Sequence, residues 1–345
     1  MRRKTAWRAL IALVLASAAL MPARAADPVA DFYHGKTLRI IVGFGVGDGF
    51  DIYARLLARF MTAHLPGEPT IIVQNMPGAG SLVALNYVNN AAPRDGTVLG
   101  MVNPVTTVQH MLQPEVANFD PLKLNWIGSM TTDYYNCGFW TDKPVTLADL
   151  QSKHFTVGST ATTGGTYAGD RVFEAVLHLD FKIVPGYTNL GELRQAAERG
   201  EVQGFCGVMA MTLKSTFWPT YVAKQLQIPV RATLTPDPDL PDVPNAFDLV
   251  KGEADRQLLM LLAGPWYFGR PFMAPPDVPA PRLAALRAAF AATLADPALL
   301  AEAKKENLEI HPLGAAEIVD TIKEIDNIPP AVIERAKPMF GVGAK

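Results

Sequence analysis

Leu38-Arg39-Ile40-Ile41-Val42 runs into Gly43-Phe44-Gly45-Val46-Gly47-Asp48-Gly49, and that cluster into Phe50-Asp51-Ile52-Tyr53-Ala54-Arg55-Leu56-Leu57. The first five residues have the β-branched, apolar make-up of a short buried strand. The glycines end it. Beyond them apolar residues recur at Ile52, Leu56 and Phe60, and at Tyr53, Leu57 and Met61, the spacing of a helix face. Asp51 is the expected N-cap. The same unit recurs downstream. Thr70-Ile71-Ile72-Val73 reads as a strand and Pro77-Gly78-Ala79-Gly80 as a turn, with Ser81 capping a helix that carries Leu82, Leu85 and Val88. Residues 98–102 form a third strand, followed by the polar loop Asn103-Pro104-Val105-Thr106-Thr107. Strands alternating with helices predict βαβ units on a parallel sheet, an α/β fold.

The middle of the chain repeats the theme. Thr156-Val157-Gly158 reads as a strand end and residues 159–166 as a loop rich in Thr and Gly. Val172, Phe173, Val176 and Leu177 then mark a helix face. Strands follow at 181–184 and 202–207, separated by a helix over 190–199 that Gly200 closes. The C-terminal part is helical over 281–294, 297–306 and 315–326, with Pro281 and Pro297 at helix starts, where a missing N–H is harmless. Proline is densest over 271–281, which reads as a crossing between two units. A length of 345 residues fits two domains. The expected division is a discontinuous first lobe, 26–135 with 263–345, and a second lobe, 136–262. The returning helices bring no recognisable strand of their own.

Composition and local motifs exclude several classes of function. The chain is 49% hydrophobic and 19% charged, ordinary globular values. Its 31 basic and 33 acidic residues leave no positive excess for nucleic acid. Residues 1–25 stand apart. Arg2, Arg3, Lys4 and Arg8 precede an apolar run from Ala9 to Leu20, and Ala23-Arg24-Ala25 forms an A-x-A site. This is the pattern of a secretory signal peptide cleaved after Ala25. The run is too short for a membrane span, which needs about 20 apolar residues. Five of the 31 basic residues lie in this segment, Arg24 included, so the remainder is acidic. Export permits a disulfide between Cys137 and Cys206; two buried thiols are the alternative.

Three glycine- or hydroxyl-rich loops lie between a strand end and a helix start. In open α/β sheets ligands bind at the carboxyl ends of strands. Helix N-termini there offer unpaired N–H groups, an anion site that needs no basic side chain. Enzyme motifs are absent. No G-x-G-x-x-G is completed, because from Gly43 and Gly45 the third position is Asp48. Gly186-Tyr187-Thr188-Asn189-Leu190-Gly191 is followed by Glu192, so it is no P-loop. There is no G-x-S-x-G around Ser81, Ser129 or Ser159, and the six histidines are dispersed, with no H-E-x-x-H pair. Neither metal nor cofactor is expected.

Taken in order, these stretches resemble the Bug family, the solute receptors of tripartite tricarboxylate transporters. Residues 51–57 after the glycine loop resemble its first motif. Val73-Gln74-Asn75-Met76-Pro77-Gly78-Ala79-Gly80 is similar to its V-x-N-x-P-G-A-G. Ala92-Pro93-Arg94-Asp95-Gly96-Thr97, Leu240-Pro241-Asp242-Val243-Pro244, Gly269-Arg270-Pro271 and Ala274-Pro275-Pro276 extend the likeness along the chain. The resemblance implies a two-lobe Venus-flytrap periplasmic binding protein, type II-like, each lobe a sheet flanked by helices. It would be a monomer and no enzyme. It would bind a small carboxylate between the lobes and deliver it to membrane permease subunits. A sensor for a signalling receptor and a secreted hydrolase are the alternatives.

By position, the implied ligand residues on the first lobe are Phe44, Gly45, Val46, Gly47, Asp48, Gly49 and Asp51, then Pro77, Gly78, Ala79, Gly80 and Ser81, then Asn103 and Thr106. On the second lobe they are Ser159, Thr160, Thr163, Thr166, Tyr187, Asn189 and Gly207. Two departures stand out. Asp48 replaces a customary glycine, and Ala161-Thr162-Thr163-Gly164 stands where the family often has G-x-G-S.

Overall fold

A computed structural model describes residues 27–117, 119–140, 145–162 and 164–342. The signal peptide, its cleavage site at Ala25 and Thr163 lie outside the described residues. The decisive stretch folds as strand β1 (Thr37–Val42), loop, and helix α1 (Gly49–Met61). Helix α1 buries Tyr53, Leu56, Leu57 and Met61 against the sheet and leaves Ile52 exposed. Its N-cap is Asp48, whose carboxylate accepts from Phe50 N–H at 2.9 Å, so the cap expected at Asp51 lies three residues earlier. Strand β1 pairs in parallel with β2 (Thr70–Asn75) and β3 (Val98–Met101), and α2 (Leu82–Asn90) connects those two.

The first sheet is not wholly parallel. Its order is β11-β4-β10-β3-β1-β2, where β4 is Asn125–Ser129, β10 is Pro271–Ala274 and β11 is Leu313–Gly314. Strand β10 lies antiparallel to both β3 and β4. The proline-rich stretch therefore does not cross between lobes but begins with a central strand. Pro271 is the first residue of that strand, a position where a missing donor is tolerated. The crossings are 130–134 and 264–270, bound side by side by Asp133 N–H to Trp266 O (2.9 Å) and Met130 N–H to Arg270 O (3.1 Å).

The second sheet has the order β7-β6-β8-β5-β9. Its strands are β5 (Tyr135–Trp140), β6 (His154–Ser159), β7 (Asp180–Pro185), β8 (Gly204–Met209) and β9 (Leu226–Ala232). β6 runs parallel to β7 and β8, while β5 lies antiparallel to β8 and β9. A disulfide joins Cys137 on β5 to Cys206, opposite it on β8. Helix α3 (Gly165–Leu177) packs on β8 and carries α5 (Glu253–Ala263) on its other side; α4 (Leu190–Glu198) precedes β8. Closest approach is at Gly169, where an added Cβ would fall 2.2 Å from Gly207 Cα.

The C-terminal helices divide. α6 (Ala280–Leu294) and α7 (Pro297–Lys305) pack on α1, and α8 (Ala315–Asp326) packs on β4. α9 (Pro330–Ala336) and the 3₁₀ turn Lys337–Phe340 instead meet α5 and α3 respectively. Val332, Ile333 and Ala336 join the buried cluster that contains Phe173 and Leu258. A division giving all of 263–345 to the first lobe does not anticipate this packing. Among the described residues no single helix is long and apolar enough to cross a membrane.

Candidate functional site

A cavity of about 190 Å³ lies between the two sheets. Its first-lobe wall comes from the loops after β2 and β3, including Ala79, Gly80, Leu82, Asn103, Val105, Thr106 and Gln109. Its second-lobe wall is Tyr135 with Gly164, Gly165 and Ala168 at the start of α3. Leu262, Trp266 and Phe340 close it. Among the described residues no lining residue is charged.

The loop after β2 is held in an unusual conformation. Gly78, Ala79, Gly80 and Ser81 have φ of 143°, 46°, 62° and 85°. A left-handed conformation costs an alanine or serine about 1–2 kcal/mol, so surrounding contacts must hold it. Ser81 supplies one. It does not cap α2 as expected; it is buried, and its Oγ donates to Gly43 O at 3.1 Å. Only glycine fits opposite, since a Cβ on residue 43 would meet Ser81 Oγ at 2.4 Å. In the next loop Asn103 Oδ1 accepts from Val105 N–H, and Thr106 Oγ1 donates to Asn103 O. Gln109 Oε1 is buried without a partner.

The glycine loop after β1 is spoken for. Gly47 N–H, expected to face a ligand, donates to Asp51 Oδ2 at 2.8 Å. Asp51 also accepts from Asn75 Nδ2 (2.8 Å) and from Arg55 Nε (2.9 Å). Burial acts to raise its pKa, but the bonds from Arg55, Gly47 and Asn75 outweigh burial and lower it to about 2. This carboxylate is the anion that the loop already holds. Phe44 stacks on Phe50, and Asp48 caps α1. None of residues 44–48 lines the cavity. Gly49 instead borders an open hollow of about 1050 Å³ together with Arg270, Lys214 and Ser215. Pro77 and Gly78 are not in the cavity wall either.

On the second lobe the expected residues serve structure more than lining. Thr166 Oγ1 accepts from Thr160 N–H (3.0 Å) and bonds Thr160 Oγ1 (2.8 Å). Ser159 Oγ is buried without a partner. Asn189 caps α4, Tyr187 packs against an apolar cluster of the second lobe, and Gly207 lies against the backbone of α3. Lining residues not among the expected ligand residues are Leu82, Val105, Gln109, Tyr135, Gly164, Gly165, Ala168, Leu262, Trp266 and Phe340. Tyr135 opens an apolar strand and Leu262 ends an apolar helix, so both read as core. Nothing local marks either as lining a cavity.

Beside the crossings lie a buried carboxyl, Asp133, and a buried guanidinium, Arg270. Asp133 accepts from Tyr134 N–H (2.9 Å) and Met211 N–H (3.3 Å). Burial pushes its carboxyl up to about 7, against the opposing pull of Arg270. Arg270 is itself buried, with its guanidinium 4.2 Å from the Phe50 ring centroid. A carboxyl raised in the folded state stays protonated while its unfolded counterpart ionises. Stability from this group is therefore full below about pH 4 and lost as pH rises to about 7. Asp133→Asn should flatten the slope of unfolding free energy over that interval, measured by urea titration at several pH values. An unchanged slope would place the titration elsewhere.

Comparisons agree with this architecture. No protein-family profile matches the chain. A UPF0065 protein from the gbd 5′ region of Cupriavidus necator is 31% identical over 147 residues, 42% of each chain. A UPF0065 protein of Bordetella pertussis, strain Tohama I, is 35% identical over 115 residues, 33% of this chain and 34% of its own. These matches thus span less than half the length of either relative. Among solved structures, a TctC solute-binding protein from Polaromonas superposes with a TM-score of 0.72 at 16% identity, over 88% of this chain and 99% of that one. MatC from Rhodopseudomonas palustris, solved with malate bound, gives 0.56 at 22% identity, over 88% and 99%. The periplasmic binding protein BugD gives 0.56 at 18% identity, over 88% and 98%. The fold is that of a two-lobe periplasmic binding protein. That fold is shared with the TctC, MatC and BugD structures.

Proposed function

We propose that this protein is a periplasmic solute receptor that captures a small carboxylate between its lobes and presents the closed form to membrane permease subunits. The observation carrying this reading is the cavity enclosed by loops from both sheets, at the place where open α/β sheets bind ligands. Ala79, Gly80, Asn103 and Thr106 would bind from the first lobe and the start of α3 from the second. Malate bound to MatC supports the ligand class. Closure is a population shift, limited by the ligand's preference for the closed state. Lys214 of the second lobe already reaches Glu309 beside the first at 3.1 Å, a contact that favours closure. Thermal denaturation with a carboxylate panel tests the proposal: at least one ligand should raise the midpoint in proportion to log concentration and be recovered chemically unchanged. Turnover of the ligand, or no stabilisation by any carboxylate, would refute it.

A further inference from the structure

The cavity's wall combines polar groups with apolar side chains. It includes the start of α3, a 13-residue helix whose N-cap, Gly164, makes no side-chain capping bond. Its first N–H groups and the helix dipole favour an anion there. Beside them is Tyr135, only 2% exposed. Tyr135 Oη accepts from Trp266 Nε1 at 2.9 Å, which leaves its own proton to donate. Burial raises the phenol's pKa, so that proton is held. Helix start and hydroxyl adjoin: a Cβ on residue 165 would lie 3.0 Å from Tyr135 Oη. Leu262, Trp266 and Phe340 add an apolar wall, and among the described residues no cation lines the cavity.

We propose, building on the solute-receptor reading, that the cavity takes a monocarboxylate with a compact apolar body. The carboxylate sits between Tyr135 and the N-terminus of α3, and the body lies against Leu262, Trp266 and Phe340. One carboxylate finds a hydroxyl, N–H groups and a helix dipole. A second, buried in the same cavity, would meet no cation among the described lining residues, a large penalty. Size agrees. An apolar cavity of about 150 Å³ holds a benzene molecule, so 190 Å³ suits a six-membered ring bearing a carboxylate. Phe340 makes the C-terminal 3₁₀ turn part of the specificity wall.

The test is calorimetric titration of the full chain with benzoate, cyclohexanecarboxylate, malate and adipate. At least one of the two monocarboxylates should bind tenfold or more tighter than either dicarboxylate. Tyr135→Phe should weaken that ligand about tenfold, the loss of one charge-assisted hydrogen bond. Phe340→Ala should weaken it while narrowing the margin over adipate. Should Tyr135→Phe not fold, Gly165→Ala probes the same subsite, and its Cβ should reduce monocarboxylate affinity. Tighter binding of malate or adipate, or an unchanged affinity in these variants, overturns the inference and leaves the receptor reading standing. Binding of no carboxylate overturns both.

Discussion

Replacing Cys137 and Cys206 together by alanine will lower the unfolding free energy by about 4 kcal/mol. The bridge spans 69 positions, and the chain-entropy relation for a closed loop of that length gives this magnitude. Both cysteines are fully buried, so the bridge also belongs to the second lobe's core. Urea titration of the oxidised protein and of the double variant measures the difference. Dithiothreitol should destabilise the wild type comparably and leave the variant unaffected. A loss under about 1 kcal/mol would show that packing across β5 and β8 alone holds the lobe.

Gly169→Ala carries the second large effect, a loss of about 3 kcal/mol. The new Cβ would sit 2.2 Å from Gly207 Cα and 2.8 Å from its nitrogen. Backbone cannot rotate aside as a side chain can, so α3 must lift off β8. That motion would shift Gly164 and Gly165 at the cavity wall, and ligand affinity should fall with stability. Gly45→Ala is the control, since nothing lies within 4 Å of its Cβ position. Thermal unfolding of both variants decides the matter. Equal midpoints would mean that the helix and strand have room to part.

Much of the fold was legible because it is written locally. The run at 38–42, the apolar spacing through Tyr53, Leu57 and Met61, and the three C-terminal helices each signal their own conformation. What escaped is set by distant partners. Pro271 gives no hint of a central strand, because its neighbours β3 and β4 lie far back in the chain. The candidate site shows the same divide. Ala79, Gly80, Asn103 and Thr106 sit in loops whose composition announces them, and they line the cavity. The loop at 45–49 announces itself equally, yet Asp51 answers its Gly47 N–H from within. An acid four residues beyond a glycine is as consistent with a cap as with an internal counter-ion, and only the position of Asn75 and Arg55 separates the two. Tyr135 and Phe340, distant in the chain, line the same cavity.

The placement of β10 has a consequence for how the molecule assembles. A chain that emerges N-terminus first, from a ribosome or a translocation channel, exposes β3 and β4 long before residues 271–274 arrive to sit between them. Until then β3 has an open edge, ready to pair wrongly. The second sheet faces no such delay, because all its strands lie within 135–232. The sheet that starts later in the chain is thus able to form first, although α9 and the turn Lys337–Phe340 join the second lobe only at the end. The earlier one must be kept from aggregating while it waits, and a handling factor that shields exposed strands would act on it during that interval.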